Sequence, residues 1–154
     1  MLFAGIQARR ASQTFQFTQQ IQRSEAVAHF TGQFLSLLAG GDPGKLIHNA
    51  DWAYRFWSLQ STEFYFFHHG ILPRFIYTLW MVDLAALYSG PSGRRAIDTY
   101  EEFMTSYAVN YPAMVDFFGG IRNLACADCD ADERSRRVAR YVEEWQQQHQ
   151  TRLQ

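Results

Sequence analysis

Glu63, His68 and His69 bring a carboxylate and two imidazoles close together in the chain, and they form the one group of ionisable side chains whose types suggest chemistry. Their spacing argues against a metal centre. Residues one apart on a helix point about 100° apart, so His68 and His69 do not easily face one point. Glu63 and His68 are five residues apart, off the same-face spacings of three and four. The paired Glu-x-x-His of a di-iron bundle is missing, and so is the His-Glu-x-x-His of a zinc protease. The favoured reading is structural: His68 or His69 caps carbonyls near Gly70, at the negative end of the helix dipole. A functional version has Glu63 and one histidine hold a polar ligand among aromatic rings. Its furthest extension is a metal-dependent enzyme using Glu63, His68 and His69.

Three other groups carry weaker signals. Cys126-Ala127-Asp128-Cys129 is a single Cys-x-x-Cys, whereas a structural zinc site needs four ligands. Asp128, Asp130, Asp132 and Glu133 oppose the thiolate that redox chemistry wants. The expectation is a helix–helix turn with two incidental thiols and no disulfide scaffold. Arg94 and Arg95 follow Gly90-Pro91-Ser92-Gly93 at the start of a helix. There they either read an anion with backbone N–H groups or pair with Asp98, Glu101 or Glu102. Asp83 stands in an apolar helix, and Arg74 or Arg55 is its expected partner. Asp128-x-Asp130-x-Asp132 lacks the glycine and glutamate of a calcium loop. Gly40 to Lys45 lacks the first glycine and the hydroxyl of a phosphate loop.

All of these must be positioned by the segment from Trp52 to Trp80. It holds Trp52, Tyr54, Phe56, Trp57, Phe64, Tyr65, Phe66, Phe67, Phe75, Tyr77 and Trp80. Aromatic residues are 16% of the 154-residue chain and apolar residues 47%, enough to close one core. A net charge of −1 and the lack of a basic block give no reason to expect nucleic acid. The basic residues are almost all arginine, with Lys45 the exception. No apolar run reaches membrane-spanning length.

The punctuation divides the chain into helix-length pieces without sustained alternation. The first runs from about Leu2 to Leu38, with a possible break near residue 24. Its early half is rich in glutamine (Gln13, Gln16, Gln19, Gln20, Gln22) and reads as an arm that projects or pairs with another copy. Gly40 to Gly44 is a loop. A second helix is expected from about Lys45 to His69, stopping at Gly70, and a third from Pro73 to Gly90. A fourth holds Ile97, Tyr100, Phe103, Met104 and Tyr107. Asn110 and Pro112 start a fifth, where Gly119-Gly120 signals a kink or a close helix approach. Asp130 and Glu133 read as a capping box for the last helix, whose tail from Gln146 is expected to fray.

The order of features resembles a loose group of uncharacterised bacterial proteins with a membrane helix, an arginine-rich long helix and a helical cytoplasmic domain. The residues that carry the resemblance are Leu2-Phe3-Ala4-Gly5-Ile6-Gln7-Ala8-Arg9-Arg10-Ala11-Ser12 and Phe64-Tyr65-Phe66-Phe67-His68-His69-Gly70-Ile71-Leu72-Pro73. The sequence departs from the group in lacking the membrane helix itself. The resemblance implies a cytoplasmic domain, tethered to the inner membrane face by a segment outside this chain. It implies no activity and no catalytic residues.

The expectation is therefore an all-α domain of five or six helices around the Trp52–Trp80 hairpin. A polar arm spans 1–23 and the helical domain 24–150. The expected function is a non-catalytic interaction or regulatory module at the cytoplasmic membrane face, self-associating or binding a protein through the first helix, with no cofactor and no metal. The alternative is a sensor of a small anionic, nucleotide-like ligand. Trp57, Tyr65 and Trp80 would form its cleft, and Arg94 and Arg95 would read a phosphate.

Overall fold

A computed structural model describes residues 2–106 and 111–150, with side chains from Thr14 to Ser106 and from Tyr111 to His149. Tyr107 and Asn110, both used in the sequence reading, lie outside the described residues. Within them the chain is helical, with no strand. The helices are α1 (Leu2–Leu38), α2 (Pro43–Leu46), α3 (Ala50–His68), α4 (Arg74–Ser89), α5 (Gly93–Ser106), α6 (Pro112–Asn123) and α7 (Ala131–Gln150). The all-α expectation holds. None of these helices is long and apolar enough to cross a membrane.

Local chemistry accounts for most boundaries. α1 runs unbroken through residue 24, so the possible restart there is not used. The second expected helix divides in two. Asp42 accepts from the Gly44 amide at 2.9 Å, and Pro43 opens the single turn of α2. Asn49 then accepts from the Trp52 amide at 2.9 Å and caps a new start, so α3 begins at Ala50, not Lys45. α3 ends in a Schellman turn. Gly70 takes φ 72°, and the amides of Gly70 and Ile71 bond to the carbonyls of Phe67 and Phe66, each at 2.9 Å. Pro73 caps α4, and Pro112 sits in the first turn of α6. Asp130 accepts from the Glu133 amide at 2.7 Å, as the capping box predicts. The Glu133 carboxylate, however, turns outward to Arg137. The tail from Gln146 stays helical to Gln150, and His149 stacks on Trp145 with ring centroids 3.8 Å apart.

α3 is the central helix. Trp52, Ala53, Phe56, Trp57, Leu59, Phe64 and Phe67 are all buried, pointing in several directions against α1, α4, α5 and α6. α6 and α7 complete the core. Phe64 meets Phe117 at 5.1 Å and Trp145 at 5.3 Å between ring centroids, and Phe67 stacks on Tyr77 at 4.3 Å. The interior is thus an aromatic cluster fed by four helices, and its density of ring contacts adds to the burial energy.

The glycine pair in α6 resolves as a close approach. A β-carbon on Gly120 would collide with the ring and hydroxyl of Tyr141 on α7. That hydroxyl donates to the Phe117 carbonyl at 3.1 Å, tying the two helices together. At Gly119 a β-carbon would meet no atom within 4 Å. Gly120→Ala is therefore expected to cost about 1–3 kcal/mol by displacing Tyr141. Gly119→Ala should gain up to about 1 kcal/mol from helix propensity. Urea denaturation of the two variants side by side checks the contrast.

Candidate functional site

The sequence places Phe56, Gln60 and Glu63 on one face of α3, at spacings of four and three. The same rule aligns Trp80, Asp83, Leu84 and Leu87 on α4. Where these faces meet Phe34 of α1 and Pro43 of α2, they enclose a cavity of about 40 Å³. Glu63 is 1% exposed and Gln60 3%. Among the described residues, neither Oε2 of Glu63 nor Oε1 of Gln60 has a hydrogen-bond partner. Burial pushes the Glu63 carboxyl up to about 8, so it is held protonated near neutral pH. Nearby, the hydroxyl of Tyr77 is also buried and unpartnered. Its pKa is raised by burial first and then by the charge of Glu63. Burial likewise raises the Asp83 carboxyl at the cavity rim.

A wider groove of about 550 Å³ lies outside this cavity and shares Phe34, Pro43, Asp83 and Leu87 with it. Leu38, the Asp42–Lys45 segment, Ala86 and the Gly90–Ser92 turn form its remaining walls. Among the described residues, Lys45 is the only cation along either lining. The arrangement can accept hydrogen bonds and positive charge inside an apolar, aromatic wall. Buried acceptors without donors are costly in a folded protein, and a site that leaves them open is poised for a ligand or for water.

The residues nominated from the sequence separate. Glu63 turns into the interior cavity, while His68 leaves toward α7. There the His68 ring lies 5.4 Å from Trp145, 5.7 Å from Tyr111 and 6.2 Å from His149, between centroids. His68 is held below the ordinary imidazole range by burial first, then by His69 and His149. His69 donates from Nδ1 to the Tyr65 carbonyl at 2.8 Å, the carbonyl-capping role expected of a helix-terminal histidine. Among the described residues, no three His, Cys, Asp or Glu side chains gather in a way that would hold a metal ion. His149 was missed because only the folding of α7 against α3 brings it near His68; no local spacing announces it.

The aromatic cleft does not assemble as expected. Trp57 is 1% exposed and donates to Thr99 Oγ1 at 3.0 Å. Tyr65 faces solvent, and of the three rings only Trp80 borders the cavity. Arg94 pairs with Asp98 at 3.0 Å and Arg95 with Glu102 at 3.2 Å. Adjacent helical residues diverge, so each guanidinium meets its own carboxylate along α5 and the two do not join on one anion. Asp83 pairs with neither Arg74 nor Arg55. Nine residues along α4 put Arg74 on the opposite face, where it meets Glu143 at 3.0 Å. Cys126 and Cys129 are not incidental free thiols: the α6–α7 turn brings them into a disulfide. Its position is fixed by the Cys126 amide, which donates to Ser89 Oγ at 3.1 Å.

No protein-family model, curated protein or solved structure matches this chain. Function must be argued from surfaces and chemistry alone.

Proposed function

We propose that the protein is a non-catalytic interaction module that self-associates through α1. The observation that carries this is the exposure of the arm. Every described side chain from Thr14 to Glu25 is exposed, including Phe15 at 64% and Phe17 at 62%. The body begins to cover α1 only at Ala26 and Phe30. A helix that leaves its aromatic side chains in water gains little from packing and is marginal alone. A partner surface would supply the missing burial.

The spacing favours a second copy as that partner. Phe17, Ile21, Ser24, Ala28, Thr31 and Leu35 recur at alternating intervals of four and three, the seam of paired helices. Ser24, Ala28 and Thr31 are exposed, and Leu35 is 61% exposed. Antiparallel pairing about Ser24 sets Phe17 opposite Thr31 and Ile21 opposite Ala28, large against small. Residues 11–22 carry no formal charge, so two identical arms do not repel, and their glutamine amides are both donors and acceptors. Shallow grooves flank α1 on both sides of Gly32, one toward Pro73 and one toward Tyr54, and give the second arm a place to seat.

Phe17→Ser combined with Ile21→Ser tests this. A symmetric pair buries four such side chains at about 2 kcal/mol each, so association should weaken more than about a thousandfold. Size-exclusion chromatography with light scattering reads the change. Near-ultraviolet circular dichroism should stay unaltered, since both side chains lie outside the body. Equal assembly of the variant and the parent chain would remove the proposal.

A further inference from the structure

The unpaired oxygens of Glu63 and Gln60 lie away from the exposed arm of α1 and point to a ligand of definite chemistry. We propose that the cavity between α3 and α4 binds the head of a small primary alkylamine, with its hydrocarbon tail lying in the outer groove. Of the two lining oxygens without partners among the described residues, Gln60 Oε1 accepts, and the Glu63 carboxyl becomes acceptor-only once its proton leaves. Asp83 adds a second carboxylate at the rim. An anion would be set against the carboxyl groups of Glu63 and Asp83, and a hydrocarbon leaves both oxygens unsatisfied. An ammonium group brings three donors and a positive charge.

Size and surroundings agree with this choice. A cavity of about 40 Å³ takes a group the size of water or an ammonium head, not a ring or a phosphate. Phe34, Phe56 and Trp80 form the wall, and aromatic faces attract a cation out of water. The groove beyond is lined by Phe34, Leu38, Ala86 and Leu87, an apolar track for a short alkyl chain. Both acceptors lie on the core-facing side of the central helix. They are carried by the same helical face as Phe56, so the head-group geometry is set by a rigid element, not by a loop.

Binding moves one proton. In the empty site the Glu63 carboxyl is protonated near neutral pH. When the ammonium enters, the proton on Glu63 passes to solvent and the carboxylate accepts from N–H. Affinity should rise about tenfold per pH unit from 6 to 8 and level off above. The other charged or titratable groups facing Glu63 are Tyr77 and Asp83 on α4, with Asp42 before α2 and Lys45 on it at the groove; Phe34 and Leu38 of α1 bring none.

Calorimetry on the full chain with n-butylamine, n-butanol and butyrate at pH 8 tests the assignment. The expected result is saturable one-site binding of butylamine alone. At pH 7 the observed heat should depend on the buffer because a proton is released. Glu63→Gln should weaken butylamine binding at least tenfold and abolish the buffer dependence while leaving the protein folded. Asp83→Asn, at the rim, should weaken it less. Butanol binding as tightly as butylamine would overturn the proposal, as would undiminished butylamine binding to Glu63→Gln. A cavity that takes up only water would show no saturable heat with any of the three, and that too would overturn it.

Discussion

Glu63→Gln should flatten the pH dependence of stability between about pH 5 and pH 8. In the unfolded chain the Glu63 carboxyl ionises near its ordinary value of 4.5, but burial holds it up to about 8 in the folded protein. Between these values the folded state keeps a proton that the unfolded state has lost. Stability therefore falls as pH rises, by about 1.4 kcal/mol per unit at most. The stability is fully present below 4.5 and is lost by the time the pH has passed 8. Summed over the window, the loss is about 4–5 kcal/mol, a large part of a small domain's total. Glutamine keeps the shape and cannot ionise. Urea denaturation at pH 5, 6, 7 and 8 should show a steep fall for the parent chain and a nearly level line for the variant. Parallel lines would mean that Glu63 is ionised in the folded state. His68 works in the opposite sense. Its folded pKa is lowered, so its contribution is present above 6.5 and is lost as pH falls below it. The two groups squeeze the stability optimum toward mildly acidic pH.

Trp57→Ala should cost about 3–5 kcal/mol. The side chain is fully enclosed and touches Phe56, Tyr88, Tyr100 and Phe118, with ring centroids from 4.9 to 6.4 Å away. Those rings come from α3, α4, α5 and α6, so one truncation opens a cavity at the centre of the bundle. Its indole also donates to Thr99 Oγ1, which bridges α3 to α5. Thr99→Val should cost a smaller amount, about 1–3 kcal/mol, because it leaves the indole N–H buried without an acceptor. Denaturant midpoints should shift in that order while the slopes stay constant. A Trp57→Ala variant as stable as the parent chain would mean that α3 is not the central helix.

The placement of Trp57 shows what the sequence could and could not convey. The aromatic segment from Trp52 to Trp80 reads directly as interior, because its apolar residues cover several faces of one helix. Gly70, Pro73 and Asp130 mark their boundaries by local chemistry, and all three act where expected. The expected helix from Lys45 instead restarts at Ala50, because Asn49 caps a new start there. The site was less legible. Glu63 stood out only beside two histidines, yet five residues of helix turn its direction about 140° away from that of His68. Its real companions, Gln60, Tyr77 and Asp83, become neighbours only when α3 packs on α4. Arg94 and Arg95 allowed two readings in the sequence, an anion or the nearby carboxylates, and Asp98 and Glu102, at helical spacing, engage them. The disulfide was unreadable for a related reason: a lone Cys-x-x-Cys closes or stays open according to how the turn between α6 and α7 is folded.

The central claim, that α1 joins two copies of this chain, is tested most directly by sedimentation equilibrium of the unaltered protein from about 1 to 100 μM. The account predicts a species of twice the 17.9 kDa chain mass that dissociates on dilution or with the Phe17 and Ile21 substitutions. A single 17.9 kDa species at every concentration would contradict it.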